Sequence, residues 1–245
     1  MTARVQDPEI QKLRQALLHL NDLLPLKARQ DSLTPENRKL HRSILQTLVQ
    51  KGHALSGDEI AKAAGSAAAG RNAVALLGAY DLVVRGPLTV KDASTGLEVV
   101  LDAMGGEVVG AYPVTTEVTP HRITLNGHSI YAMCAVDALA VAPVFGGEVR
   151  IDSVCHVTGE PIHIAMKGKK IVACKPCSAE EMRIGVRWQR VTTTAAHGLC
   201  RQMVFLKDAA TAAKWQSGEP GAIDIFTSAE AIDFAEAFFR PLLSD

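Results

Sequence analysis

Five cysteines and one aspartate hold most of the chemistry that this sequence can offer. Cys134-Ala135-Val136-Asp137 sets a thiol and a carboxylate three residues apart. If Cys134 begins a helix, the two side chains share a face. The unpaired N–H groups at a helix start favour a thiolate, and Asp137 is then placed to donate or relay a proton at that sulfur. Taken alone, a Cys near an Asp is an ordinary structural pattern. Cys200, in His197-Gly198-Leu199-Cys200-Arg201, comes just before a strand-like run. It reads either as a small buried hydrophobe or as a thiol whose pKa is lowered by Arg201 or His197. Cys155-His156 with Cys174-Lys175-Pro176-Cys177 resembles zinc spacing, the four ligands being Cys155, His156 or His163, Cys174 and Cys177. Neighbouring Cys155 and His156 point to opposite faces of a strand, however, and a second C-x-x-C is missing. A solvent-facing or redox-active Cys174/Cys177 pair is the stronger reading. Phosphate-binding glycine loops, H-E-x-x-H and G-x-S-x-G are all absent, so nucleotide and hydrolase readings gain no support.

The elements that must position these residues differ along the chain. Leucines at three- and four-residue spacing over residues 8–30 predict an amphipathic helix that Pro25 ends or kinks. Thr34-Pro35 starts a second helix, running through Leu40, Ile44 and Leu48 to Gly52. Ser56 and Glu59 fit a capping box, and a further short helix is expected from Asn72 to Tyr80 after a Gly/Ala/Ser-rich turn. Strands over 82–90 and 95–103 follow. That order is the order of a winged helix-turn-helix. The candidate recognition helix holds one Arg among Ala and Leu, so packing is favoured over DNA reading.

From residue 113 the texture becomes β-rich. Asn126-Gly127 marks a two-residue hairpin, Met133 to Leu139 a short helix over by Pro143, and Thr158 to Pro161 a second hairpin turn. Strands are expected at 186–194 and 202–208, and short helices at 178–182 and 211–216. A closing helix follows, capped by Ser228. The fold class is therefore α+β, with an N-terminal winged-helix-like helical module followed by a mixed catalytic domain of antiparallel strands and short helices. The boundaries are a helical extension at 1–35, the winged-helix-like domain at 36–112 and the catalytic domain at 113–245.

Composition narrows the function. The 245 residues carry 26 basic and 26 acidic side chains, so no global field calls for nucleic acid or a membrane surface. Aromatics at 4% leave little for base stacking. No apolar run approaches the roughly 20 residues of a membrane span, and the N-terminus lacks a signal-peptide core. An odd number of cysteines in a chain of this length points to reduced thiols and a cytoplasmic protein.

Together the segments resemble the alkylmercury (organomercurial) lyase family. The resemblance rests on Ile130-Tyr131-Ala132-Met133-Cys134-Ala135-Val136-Asp137, then Ser153-x-Cys155-x-x-Thr158-Gly159-x-Pro161, then Leu199-Cys200 before Val204-Phe205. Gly105 to Thr116 resembles the family's entering strand, and the likeness covers most of 38–245. It implies that Cys134, Asp137 and Cys200 cleave a carbon–mercury bond by protonolysis, giving a hydrocarbon and Hg(II), with Cys155 structural. Thiolates are the ligands expected for a soft, thiophilic ion, and Asp137 would supply the proton. The resemblance further implies an organomercurial substrate, no organic cofactor, and cellular thiols or a mercuric reductase to take the Hg(II). This sequence departs from the family pattern at Met133, where an aromatic is usual, and at Arg201, which is sometimes Cys. Cys174 and Cys177 are additions that can relay mercury, bind zinc or do neither. A thiol-based sensor or carrier of Hg²⁺, Zn²⁺ or Cu⁺, without bond cleavage, is the competing reading.

Overall fold

The computed structural model describes residues 8–91, 97–102, 105–190, 194–218 and 222–244. Parts of the strands expected over 95–103 and 186–194 fall outside them. The leucine-patterned N-terminus forms α1 (Pro8–Leu23) and α2 (Leu26–Asp31), separated at Pro25. α3 (Pro35–Lys51) starts as its sequence dictates: Thr34 accepts from the Asn37 N–H at 3.3 Å, and Gly52, at φ 74°, ends the helix. α4 (Gly57–Ala64) carries the full Ser56/Glu59 capping box. α5 (Ala67–Ala79) begins five residues earlier than expected, with Ser66 as its cap. The Ala-rich stretch expected to be a turn is made of the best helix former, so it supplies the first turns.

The strands then follow: β1 (Val84–Arg85), β2 (Leu88–Lys91), β3 (Glu98–Asp102), β4 (Val108–Ala111), β5 (Val114–Thr115), β6 (His121–Leu125) and β7 (His128–Ala132). β6 and β7 form the expected hairpin, with Asn126 and Gly127 at φ 52° and 80°. Positive φ at both positions is what a type I′ turn demands. After α6 (Ala135–Phe145) come β8 (Glu148–Val154), β9 (Pro161–Lys167), β10 (Lys170–Lys175), β11 (Arg183–Trp188), β12 (Met203–Leu206), α7 (Ala209–Gly218), β13 (Ala222–Thr227) and α8 (Ser228–Phe239).

Eight strands make one antiparallel sheet in the order β1-β4-β5-β7-β6-β8-β9-β10, and β12-β11-β13 make a second. Because β1 pairs with β4 and β4 with β5, the large sheet runs without a break across residue 112. α6 is the hub. Ten of its eleven residues are buried, and it packs between the large sheet, β12 and α8. A helix that is apolar all round must be enclosed on every side. β8 and β9 alternate in burial and turn Val149, Ile151, Ile162, Ile164 and Met166 inward. Leu139 of α6 is fully buried, so its truncation to Ala should cost about 2–5 kcal/mol.

The N-terminal helices are fastened to the C-terminal part. α1 packs on α8, Lys12 reaches Glu230 at 2.9 Å, and His19 stacks on Trp188. A buried polar knot adds to this: Gln30 donates to the Leu242 carbonyl at 2.9 Å, and His41 lies 3.0 Å from Gln30 and 3.1 Å from the Leu82 carbonyl.

Several local expectations need correction. Pro143 does not lie beyond α6 but inside its last turn, where the missing N–H forfeits a single bond; Gly146 ends the helix instead. Residues 178–182 form a single turn closed by Ser178 and Glu181, because β11 takes over at Arg183. The cap of α8 is Thr227, paired with Glu230, and Ser228 is its first helical residue.

Candidate active site

β7 delivers the chain to Cys134, which sits in extended conformation as the N-cap of α6. Its sulfur accepts a hydrogen bond from the Asp137 N–H at 3.3 Å. Asp137 lies in the first helical turn, so its carboxyl returns to the same end of the helix. Cys200 comes from far along the chain, on a 3-10 turn (Leu199–Gln202) that runs into β12. The ligating atoms of Cys134, Asp137 and Cys200 all lie within 4.8 Å of one another. Among the described residues this is the only group of three His, Cys, Asp or Glu side chains that could hold a metal ion. Met203, the first residue of β12, completes the sulfur-rich surroundings, its Sδ 3.7 Å from Cys134 Sγ.

The site is buried, and that governs its electrostatics. The three side-chain-bearing residues are 1–3% exposed. Burial pushes Asp137 up to about 7, against the opposing hydrogen bonds from the two thiols and from Cys134. One carboxyl oxygen, Oδ2, is buried with no hydrogen-bond partner in the protein. Burial also pushes Cys134 up to about 11, outweighing its hydrogen bonds. Cys200 is raised well above a free thiol, first by its hydrogen bond to Cys134 and then by burial and the Asp137 charge. The helix start therefore does not make Cys134 a resting thiolate, because desolvation exceeds the dipole. Nor do Arg201 or His197 lower Cys200: Arg201 is exposed, and His197 is engaged with Glu117 at 3.1 Å and Thr194 at 3.0 Å. At neutral pH the site holds two neutral thiols and a carboxyl poised at its midpoint.

Two residues missed in the sequence reading hold Cys200 in place. Tyr112 donates to Asp81 Oδ1 at 2.9 Å and accepts from the Ala196 N–H at 2.8 Å, while Asp81 Oδ2 accepts from the Ala195 N–H at 2.9 Å. This buried clamp fixes the start of the segment that carries Cys200. Burial raises the pKa of both groups. Their sequence separations, 31 and more than 80 residues, leave no local pattern; the sole trace is Asp81 at φ 51°, which closes α5 in a conformation that favours Asp, Asn or Gly.

A cavity of about 490 Å³ opens onto Cys200. Met133, Met203, Val204 and Phe205 give it an apolar wall, and Glu117, His121, His156, His197 and Arg201 supply polar edges. Cys134 and Asp137 do not line it. His121 is held neutral by burial, its pKa near 4, and bonds Ser153 at 2.8 Å.

The remaining sulfurs stand elsewhere. Cys155 is fully buried at the β8–β9 turn, where the His156 side chain faces the cavity instead. Cys174 and Cys177 pair with each other, Sγ to Sγ 3.7 Å, and Cys155 does not join them. The four-ligand zinc set is not assembled, since only two sulfurs of it meet.

With this geometry in view, comparison with known proteins is direct. Residues 114–240, more than half of the chain, match the MerB alkylmercury lyase family. The alkylmercury lyase of Bacillus cereus is 32% identical over 116 residues, covering 47% of this chain and 51% of that protein. That of Pseudomonas putida is 24% identical over 140 residues, covering 57% and 64%. The matched part thus spans about half the length of the Bacillus relative. The solved mercury-bound form of MerB2 superimposes with a TM-score of 0.67 at 22% identity, over 89% of this chain and 98% of that one, which is a likeness of fold.

Proposed function

The chain belongs to the alkylmercury lyase family, and from that premise we propose that it cleaves the carbon–mercury bond of organomercurials by protonolysis at Cys134, Asp137 and Cys200. The observation that carries the reading is a buried carboxyl, with its pKa raised to about 7, inside a 4.8 Å cluster with two thiols. A soft ion selects the sulfurs, and a general acid needs a pKa near the working pH.

Cys200 lines the cavity, so its sulfur meets mercury first. R–Hg–X exchanges X for that sulfur, and the thiol proton leaves with X. Cys134 then bonds mercury and passes its proton to the Asp137 carboxylate. Asp137 returns this proton to the mercury-bound carbon, which takes it up with the electron pair of the C–Hg bond. R–H departs, and Hg(II) remains on two sulfurs beside the carboxylate. Ligands and proton all come from the chain, so the reading requires no organic cofactor. Free thiols or a mercuric reductase would withdraw the Hg(II), in a reducing cytoplasm where the thiols stay free. No helix among the described residues is long and apolar enough to cross a membrane.

The helical N-terminal part belongs to this reading as a support. We assign residues 36–112 to a winged-helix-like module used for packing, and 1–35 to an extension whose helices α1 and α2 fasten to the catalytic part, residues 113–245. α3 packs on β4, β5 and β7, and Arg71 is the one cation of α5.

The test is release of hydrocarbon from methylmercury and phenylmercury with excess thiol. Wild type should yield methane and benzene; Cys134→Ser, Cys200→Ser and Asp137→Asn should lose about 10²–10⁴-fold or more. A pure carrier of Hg(II) would need the thiols but not Asp137, so mercury capture without hydrocarbon from the wild type would refute the lyase reading.

A further inference from the structure

The Cys174-Lys175-Pro176-Cys177 pair lies outside the catalytic cluster and outside the cavity, and nothing in the protonolysis scheme uses it. Its two sulfurs are 3.7 Å apart, one on the last turn of sheet at β10 and the other just beyond it. Cys174 is half-buried and Cys177 is 9% exposed, so the pair sits near the protein's surface, with Cys174 the more exposed of the two. Carboxylates surround it: the charges of Glu180 and Glu181 act on Cys174, and those of Glu181 and Asp208 act on Cys177.

We propose that Cys174 and Cys177 form a second, two-thiolate site for a soft cation, with Hg(II) its natural occupant. Three features select the ion. Two sulfurs with no third His, Cys, Asp or Glu ligand atom within 4.8 Å among the described residues suit an ion content with two ligands. Zn(II) takes four ligands almost always in structural sites, and only the two sulfurs are gathered here. Thiolates select soft ions over hard ones, while the neighbouring carboxylates favour a cation of any kind. A thiolate–metal bond of roughly 2.3 Å places 3.7 Å between sulfurs in a bent arrangement, and a rotation of the more exposed Cys174 side chain opens it towards the linear one.

Binding balances without redox change. Each thiol loses its proton to solvent, two S–H bonds break, two Hg–S bonds form, and burial, helped by the neighbouring carboxylates, keeps the thiols protonated until the metal arrives. Asp208, whose charge reaches Cys177, follows the far end of β12 from Met203 and Cys200. The four-residue strand between is roughly 10 Å long. One ion therefore does not bridge both sites, and the pair holds Hg(II) in its own right. This rests on the lyase reading for the origin of the mercury alone.

The test uses the full, reduced chain and HgCl₂ with glutathione in excess, desalting, and metal analysis. Wild type should keep two Hg(II) per chain. Cys174→Ser and Cys177→Ser should each keep one and still release benzene from phenylmercury at the wild-type rate in excess thiol. The Cys134→Ser/Cys200→Ser double variant should keep one, held by two sulfurs in X-ray absorption and resistant to a tenfold excess of Zn(II). A double variant that keeps none, with Cys174 and Cys177 titrating as free thiols, overturns the second site. So does displacement by Zn(II). Loss of benzene release with two Hg(II) still bound would instead strike the lyase reading and leave this one standing.

Discussion

Replacing Asp137 by Asn should stabilise the protein at alkaline pH, and by an amount that the burial of the carboxyl sets. The folded state holds this group at about 7, against an ordinary 3.8. Between those values the folded chain keeps a proton that the unfolded chain has released. Stability conferred on the neutral form therefore falls as pH rises from 3.8 and is lost in full above 7. At about 1.4 kcal/mol per unit, holding the carboxyl in its buried site costs on the order of 4 kcal/mol at pH 8, where it ionises, and about 2 kcal/mol at pH 5, where it keeps the proton that the unfolded chain has lost. The group is 2% exposed, so solvent screening does not dilute this. Asn matches the protonated acid in shape and removes the titration, so the gain in unfolding free energy should be about 2–3 kcal/mol larger at pH 8 than at pH 5. The difference between variants is the quantity to read, because His41 and His121 bend the wild-type curve the other way. Burial lowers both to about 4, so they withdraw stability as pH falls below the ordinary 6.5. Urea unfolding of both proteins at the two pH values measures it. A gain equal at pH 5 and pH 8 within about 0.5 kcal/mol would mean that Asp137 does not titrate near neutrality, and the general-acid argument would fall with it.

The same carboxyl should set the pH profile of turnover. kcat/KM should rise about tenfold per unit up to a break near 7, as Asp137 becomes able to accept the Cys134 proton, and a flat profile between pH 5 and 8 would refute that step. Above it a plateau should run to the alkaline limb near 11, where Cys134 gives up its own proton. Tyr112→Phe should cost about 1–3 kcal/mol by leaving Asp81 and the Ala196 N–H short of a partner. It should also lower kcat/KM by displacing Cys200, with kcat unchanged if the clamp merely stiffens the fold. Leu139→Ala should lower the unfolding free energy by about 2–5 kcal/mol through the cavity it opens in α6, read by denaturant midpoint.

What the sequence reveals and what it hides divide along contact distance. Thr34, Ser56, Gly52 and Asn126-Gly127 act within four residues of themselves, and each does in the fold what its type dictates. Cys134 and Asp137 belong to that class, because one helical turn joins them. Where local rules fail, a neighbour from elsewhere decides. Pro143 stays within α6 because the core encloses that helix on every side, and residues 178–182 stop after one turn because β11 must pair with β12 and β13.

The resting charge of the site was hidden for the same reason. A helix start and a nearby Arg both argue for thiolates, yet all three groups titrate higher than free ones. Closing α6, β12 and the Cys200 segment around them removes the water that would stabilise charge. This desolvation is also what gives the protonolysis scheme its acid. In an open site Asp137 would be too weak a base to take the Cys134 proton as mercury claims that sulfur. Buried with Oδ2 unpartnered, it has an oxygen free to take up the Cys134 proton and pass it to the carbon. The chain spends folding stability to keep the carboxyl in that condition, which is why the Asn variant should be the more stable protein and the inactive one.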